Sequence, residues 1–134
     1  MINLKEVSSE LKNLIDSSQT IAVASHLNPD GDNLGSATAM IGMLNKLGKK
    51  PIFVLDDQIP SSFKFLSNLS FAKNPDDIDT TFDLFIALDS SDEDRMGDRV
   101  KEIFNKSKKT VNIDHHFSNK NYGDLNIVDE KSPA

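Results

Sequence analysis

The sequence predicts a three-layer α/β domain in which helices flank a mostly parallel sheet. Short apolar runs alternate along the 134 residues with stretches whose apolar positions recur at helical spacing. Strands that alternate with helices form parallel sheets, because two parallel neighbours need a crossover connection, which is usually a helix. The length and the 37% content of apolar residues fit one ordinary globular domain, which we expect to span residues 1–134.

The first predicted elements are a helix and a strand. Apolar residues recur at helical spacing over residues 4–15. Asn3 and Glu6 resemble a capping box, in which a side chain before the helix binds a free backbone amide of the first turn. The β-branched, apolar run at 21–25 predicts the first strand.

A strand-helix-strand unit follows from the next two segments. An apolar stripe at helical spacing extends over residues 34–47 and ends at Gly48, a residue that commonly terminates helices. Residues 51–55 form another short apolar run, which predicts a strand. Together with the strand at 21–25, these segments form a βαβ unit.

The second half of the chain repeats the alternation after a weaker region. We expect a short helix around 61–66 and a polar connecting loop at 73–79. The remaining predicted elements are a strand at 83–88, a helix marked by Met96, Val100, Ile103 and Phe104, and a strand at 110–113.

Composition excludes several classes of protein. The chain has no cysteine, so disulfides, thiolate zinc sites and a cysteine nucleophile are excluded. A net charge of -6 argues against a broad basic face for nucleic acid, although bound cations could still hold an anionic substrate. No run is long enough to span a membrane, and residues 1–12 lack a signal-peptide layout, so we expect a cytoplasmic protein. Neither a P-loop nor a GxGxxG turn is present.

Three predicted strands end in carboxylates and imidazoles. All three histidines of the chain lie in these segments, and ligands of open α/β sheets bind beyond the carboxyl ends of the strands. Because such side chains are costly to desolvate without a partner, a metal ion would be a suitable one. The candidate residues are His26, Asp30 and Asp32 after the first strand, Asp89 after the third, and Asp114, His115 and His116 after the fourth.

Each cluster also has a purely structural interpretation. Asp30 and Asp32 could form a turn and cap the following helix. Asp89 could belong to the acidic residues that favour a helix N-terminus, and His115 and His116 could be one core and one surface histidine. The occurrence of all three clusters at equivalent strand ends favours the metal site.

Three motifs resemble those of the DHH phosphoesterases, a family named after the triplet at 114–116. They are "ASHLNPDGDNLGS", "ALDSSDEDR" and "NIDHHFSN", and the likeness runs from Ile21 to the end of the chain. Within the family, "NPDGD" and "NYGDLNIVDEKSPA" are most similar to bacterial enzymes that degrade short oligoribonucleotides and dephosphorylate 3'-phosphoadenosine 5'-phosphate. Single-strand DNA exonucleases and cyclic dinucleotide phosphodiesterases share the triplet and are the alternatives.

The resemblance implies a site for two manganese ions that activate water for attack on phosphorus. Carboxylate and imidazole ligands suit manganese, and the ligand types alone also admit magnesium, cobalt or zinc. By similarity, one ion is held by His26, Asp30 and Asp89, and the other by Asp32, Asp89 and His115. His116 is then expected to face the phosphate, and Asp114 to orient the neighbouring imidazole.

Two departures from the family pattern accompany this resemblance. Asn33 stands where the family usually has a small apolar residue. The family also has a fourth metal-binding aspartate and a smaller carboxy-terminal domain for the nucleotide, both beyond the position where this chain ends at Ala134. We therefore expect a truncated amino-terminal domain with weak metal occupancy and poor activity alone, whose partners are short single-stranded RNA or a nucleotide phosphate, the missing domain, and a second copy in a homodimer.

Two other classes of function fit parts of the pattern. A regulatory module could keep the metal cluster and sense nucleotides, in which case it would bind them without releasing phosphate. A flavodoxin-like interaction domain with accidental acids would show no change in melting temperature with divalent ions.

Overall fold

A five-stranded sheet forms the centre of the protein, and all its neighbouring strands are parallel. The structure is a computed structural model, and it describes residues 2–69 and 72–134. The strands are arranged in the order β2-β1-β3-β4-β5, which confirms the predicted α/β class with a mostly parallel sheet. Their bounds are β1 (Ile21–Ala24), β2 (Ile52–Val54), β3 (Leu84–Leu88), β4 (Lys109–Asp114) and β5 (Leu125–Val128).

In the described part of the chain, three α-helices cover the two faces of the sheet. They are α1 (Leu4–Asp16), α2 (Gly31–Lys46) and α3 (Asp98–Lys106). Helices α1 and α2 pack on one face and α3 packs on the other. Short 3-10 helices lie at Ser61–Phe63, Ser67–Leu69, Pro75–Asp77 and Glu93–Met96. Within the described ranges, no helix combines the length and the apolar character that crossing a bilayer requires.

The core consists of two apolar layers separated by the sheet. Leu84, Ile86 and Leu88 of β3 pack in the layer under α1 and α2, whereas Phe85 and Ala87 pack in the layer under α3. This division follows from the strand geometry, in which successive side chains point to opposite faces. Because both faces of β3 are covered, the strand is a continuous apolar run, as is usual for a central parallel strand.

Local signals in the sequence correctly mark the first two helices. The Asn3 side chain accepts a hydrogen bond from the backbone N–H of Glu6 at 3.3 Å, as the capping pattern predicts. Helix α2 ends with Leu47 as its C-cap, and Gly48 follows with a φ of 79°. That left-handed conformation suits glycine and explains why the apolar stripe ends there.

Two local predictions differ from the structure, and one strand was not predicted. The helix expected at 61–66 is a single 3-10 turn at Ser61–Phe63. The helix expected around Met96 to Phe104 is divided, because Gly97 separates a 3-10 turn from α3. Strand β5 was not predicted, since Asn126 interrupts its apolar residues and the strand is only half-buried.

Replacing Gly97 with alanine is expected to lower the free energy of unfolding by about 1–3 kcal/mol, because its backbone conformation is essentially restricted to glycine. Its φ is 88° and its ψ is 155°, and an added Cβ would lie 3.3 Å from a methyl carbon of Leu27. Urea unfolding measures the change. The control is Gly35→Ala within α2, where a Cβ would meet nothing within 4 Å and helix propensity favours alanine by up to about 1 kcal/mol. Equal effects of the two substitutions would contradict this account.

Candidate metal centre

The strand order brings the three polar segments to one edge of the sheet. Strands β1, β3 and β4 are neighbours, and their parallel register aligns Ala24 with Ala87 and Leu88 with Ile113. The residues that follow these strands therefore meet at a common carboxyl edge. All seven candidate residues lie in this region, and the structure brings their side chains into two overlapping groups that share Asp89.

The first group surrounds His26. Its Nε2 lies 3.7 Å from a carboxylate oxygen of Asp89 and 3.9 Å from one of Asp30. Its Nδ1 lies 2.6 Å from the carbonyl oxygen of Leu27, which can only accept a hydrogen bond, so Nδ1 carries the proton. A neutral His26 thus directs its Nε2 lone pair towards two carboxylates. The Asp89 side chain, assisted by the Leu27 carbonyl and Asp30 and opposed by burial, raises the pKa of His26.

The second group surrounds His115. Its Nε2 lies 3.1 Å from an oxygen of Asp32 and 3.1 Å from an oxygen of Asp89. Its Nδ1 lies 3.1 Å from the Ser132 carbonyl oxygen, so a neutral ring again directs a lone pair towards two carboxylates. Burial works to lower the pKa of His115, but the Ser132 carbonyl and the two carboxylates outweigh it and raise that pKa.

The surroundings of the acidic residues fit a cation held between them. One side-chain oxygen of Asp32 is buried and has no hydrogen-bond partner in the described residues. Burial, followed by the charge of Asp89, raises the pKa of Asp32. Asp89 itself has only 7% of its surface exposed, and its φ of 54° is uncommon outside glycine. Strained backbone of this kind tends to occur at functional sites.

Asp114 joins His116 to a buried amide network. A carboxylate oxygen of Asp114 lies 2.6 Å from Nδ1 of His116, and the other accepts a hydrogen bond from the Asn119 amide at 2.7 Å. The Asn119 amide also donates to the side-chain oxygen of Asn112 at 2.6 Å. Burial works to raise the pKa of Asp114, but the hydrogen bonds from Asn119, His116 and the backbone of His115 outweigh it and lower that pKa.

Asp30 has a structural role as well as a place in the site. It is the N-cap of α2, and one of its oxygens accepts a hydrogen bond from the backbone N–H of Asn33 at 3.0 Å. The other oxygen is the one that faces His26. The side chain of Asn33 is fully buried and donates to the Leu88 carbonyl at 3.0 Å, so this unusual residue ties α2 to the end of β3.

Sequence reasoning assigned no role to Asn112 and Asn119. Asn112 is fully buried in β4, and its amide donates to the carbonyls of Ala87 and Ser90 and to the Tyr122 hydroxyl. Asparagine is depleted in strands, so its occurrence two residues before Asp114 was an available signal. No comparable signal marks Asn119, whose contact with Asp114 depends on how the loop returns to the sheet.

A cleft of about 220 Å³ opens beside the second group. Asp32, Asp89 and His115 form its polar side, and Leu88 and Ile127 contribute to its apolar side. A larger cavity of about 630 Å³ lies elsewhere, next to Ile59, Phe63 and Leu66, and none of the candidate ligands lines it. Of these two cavities, the smaller cleft is therefore the candidate site, because candidate metal ligands line it.

The fold and this site define a parallel α/β domain with a candidate centre for divalent metal ions. The donor set of carboxylates and imidazoles, the two directed lone pairs and the unpartnered Asp32 oxygen all fit such ions. The family model described as "DHH family, N-terminal domain" matches residues 20–134, and the chain belongs to this family.

Three relatives are named as bifunctional oligoribonuclease and PAP phosphatase NrnA, one of them as probable. The protein of Thermus thermophilus is 32% identical over 114 residues, which are 85% of this chain and 33% of the relative. That of Bacillus subtilis is 31% identical over 94% of this chain and 38% of the relative. That of Streptococcus mutans is 30% identical over 86% of this chain and 35% of the relative. The chain thus spans about a third of the length of these relatives.

A crystal structure of an exopolyphosphatase-related protein from Bacteroides fragilis has the same fold. It superimposes with a TM-score of 0.85 over 97% of this chain and 41% of that protein. The sequence identity is 18%, so this similarity concerns the fold alone.

Proposed function

We propose that this domain belongs to a manganese-dependent phosphoesterase that hydrolyses short oligoribonucleotides and 3'-phosphoadenosine 5'-phosphate. The family membership and the names of the relatives support the reaction class and the substrates. The cytoplasmic location, the carboxy-terminal substrate domain and the homodimer stay predictions from the sequence.

The observation that carries this proposal is the orientation of two imidazoles. His26 and His115 each bind a backbone carbonyl through Nδ1 and direct Nε2 towards a pair of carboxylates. When the rings are neutral, the Nε2 lone pair of each ring faces two negatively charged carboxylates, which repel it. A divalent cation held between each imidazole and its carboxylates would remove this repulsion, and both rings share the arrangement.

In this proposal, the ligands divide into two sets. His26, Asp30 and Asp89 hold one ion, and Asp32, Asp89 and His115 hold the other, so that Asp89 belongs to both. Bound manganese supplies Lewis acidity, lowering the pKa of a water molecule and neutralising charge on the phosphoryl oxygens. The carbonyls of Leu27 and Ser132 fix the ring orientations before the ions bind.

His116 is the residue we assign to proton transfer. Its Nδ1 is held by the buried carboxylate of Asp114, which keeps Nε2 as the atom available to the substrate. About half of the His116 side chain is exposed, so a phosphate oxygen can reach it. A protonated Nε2 donates a hydrogen bond to a phosphoryl oxygen or passes its proton to the leaving oxygen, and Asp114 stabilises the imidazolium.

A substrate panel tests the proposed function. The complete protein, in which this domain is joined to any further segments, is assayed with manganese against a short oligoribonucleotide, 3'-phosphoadenosine 5'-phosphate, single-stranded DNA and a cyclic dinucleotide. We expect release of mononucleotides from the RNA and of phosphate from 3'-phosphoadenosine 5'-phosphate. Turnover of only the DNA or the cyclic dinucleotide would refute the substrate assignment, and nucleotide binding without any hydrolysis would favour a sensing module.

Manganese affinity is expected to fall steeply as the pH decreases from about pH 8 to about pH 6. A metal ligand must be a neutral imidazole, and the pKa values of His26 and His115 are raised above the ordinary 6.5. Protons therefore compete with the metal at a higher pH than they would at an isolated histidine. The expected loss is up to about tenfold per pH unit for each proton displaced, as measured by calorimetry.

The control for this pH dependence is the variant His26→Gln, which removes one of the two competing protons. The manganese affinity of this variant is expected to be lower at every pH, but to change less steeply with pH. An affinity that stays constant over the same pH range would show that histidines are not ligands.

A further inference from the structure

The turn that follows the histidine pair presents a strongly exposed aromatic ring. Phe117 has 86% of its surface exposed, which is the largest value among the exposed large hydrophobic residues at 2–69 and 72–134. It directly follows His116, so its Cα lies about 3.8 Å from that of the proposed proton donor. The domain buries only a small part of this residue, and so large an exposed apolar surface beside the site calls for an explanation.

The turn that carries Phe117 is held in place on both sides. The backbone N–H of Asn119 donates to the His116 carbonyl at 3.1 Å, which places Phe117 and Ser118 in the middle of a turn. The Asn119 side chain anchors this turn to Asp114 and Asn112. The backbone N–H of Lys120 donates to the Ser91 carbonyl at 2.9 Å. Little backbone entropy remains to be lost when a ligand contacts the ring.

We propose that Phe117 is the platform on which a nucleobase of the substrate stacks. A nucleotide carries an anionic phosphate and a flat aromatic base on the same sugar. The metal cluster and His116 suit the phosphate, and an exposed ring one residue further along suits the base, because every base offers a face for stacking. This contact selects nucleotides over base-free phosphates without selecting a base sequence. The inference rests on the proposed function and deepens it.

A tryptophan at position 117 tests the contact directly, because the chain contains no tryptophan. Adenosine 5'-monophosphate is the probe, since it is a product of both proposed reactions and is not consumed. With manganese present, we expect it to quench the fluorescence of Phe117→Trp saturably, and ribose 5-phosphate to leave the fluorescence unchanged. Calorimetry is expected to give an affinity of Phe117→Ala for the nucleotide that is about 5- to 150-fold weaker, and an unchanged affinity for ribose 5-phosphate.

Leu47→Trp is the matched control. Leu47 is the half-exposed C-cap of α2, whose 16 residues span about 24 Å away from the cluster at its N-terminus. The fluorescence of Leu47→Trp is expected to stay constant when adenosine 5'-monophosphate or ribose 5-phosphate is added.

The outcomes separate this inference from the proposed function. If the nucleotide binds but does not quench the fluorescence of Phe117→Trp, the platform is overturned. The same holds if Phe117→Ala binds the nucleotide with unchanged affinity. Both outcomes leave the phosphoesterase proposal intact. A Phe117→Ala protein that changes its oligomeric state but not its nucleotide affinity assigns the ring to a protein contact and also overturns the platform. If the unaltered protein neither binds the nucleotide nor hydrolyses the substrate panel, the proposed function fails and the platform fails with it.

Discussion

The variant Asp89→Asn is expected to lose measurable manganese binding and to reduce kcat/KM by about 1,000-fold or more, which corresponds to about 4 kcal/mol of transition-state stabilisation. Asp89 is the residue common to both ligand groups, with oxygens that face His26 at 3.7 Å and His115 at 3.1 Å. Removing its charge therefore weakens both proposed ion sites at once. Calorimetry with manganese and an oligoribonucleotide assay measure the two losses.

Asparagine is the informative substitution because of the backbone at this position. The φ of 54° at Asp89 is one that asparagine tolerates and alanine does not, so the variant keeps the local conformation. Without metal, the stability of the variant is expected to stay close to that of the original protein, since Asp89 repels Asp32 but attracts the imidazoles of His26 and His115. Loss of activity with an unchanged metal-free melting temperature then separates catalysis from folding.

Asp94→Asn controls for the loss of one negative charge near the site. Asp94 is exposed, lies in the 3-10 turn after β3 and pairs with Lys101 rather than with a histidine. Its metal affinity and turnover are expected to stay within about twofold of the original, because an exposed ion pair contributes little. Full turnover in Asp89→Asn would refute the role of Asp89 in both ion sites.

The parallel sheet could be predicted because its signals are local. Three of the four predicted strands are short, mainly apolar runs, and the fourth, at 110–113, has β-branched residues at three of its four positions. Gly48 marks a helix end by its backbone preference and Asn3 by its capping side chain. The carboxyl edge followed from the same argument, since parallel neighbours end on the same side. Strand β5 was not predicted, because it is short and half-buried and Asn126 interrupts its apolar residues.

The contacts that orient the site were beyond reach of the sequence. His115 is held by the backbone carbonyl of Ser132, and His26 by that of Leu27, and a carbonyl is the same in every residue. The contact between Asn119 and Asp114 depends on the return of a loop, which no periodic pattern encodes. Patterns of residue types therefore indicate which ligands gather at the edge, but not how their rings are turned.

Phe85→Ala is expected to cost about 3–5 kcal/mol of unfolding free energy, a large part of the stability of a domain this size. Phe85 is fully buried in β3, and its ring meets that of Phe104 edge to face at 5.2 Å and that of Phe82 at 6.3 Å. The substitution leaves a cavity between the sheet and α3 that the surrounding rings cannot fill. Urea unfolding measures the loss.

Phe117→Ala is the matched control, since it removes the same atoms from a ring that is almost wholly exposed. Its unfolding free energy is expected to change by less than about 0.5 kcal/mol. Phe85 lies four residues before Asp89 on the strand that delivers this ligand, so local opening of β3 in Phe85→Ala is expected to weaken manganese binding as well. If the two variants were equally stable, the layer under α3 would not be the close-packed core described above. Packing of Phe85 would then not be what holds Asp89 in position.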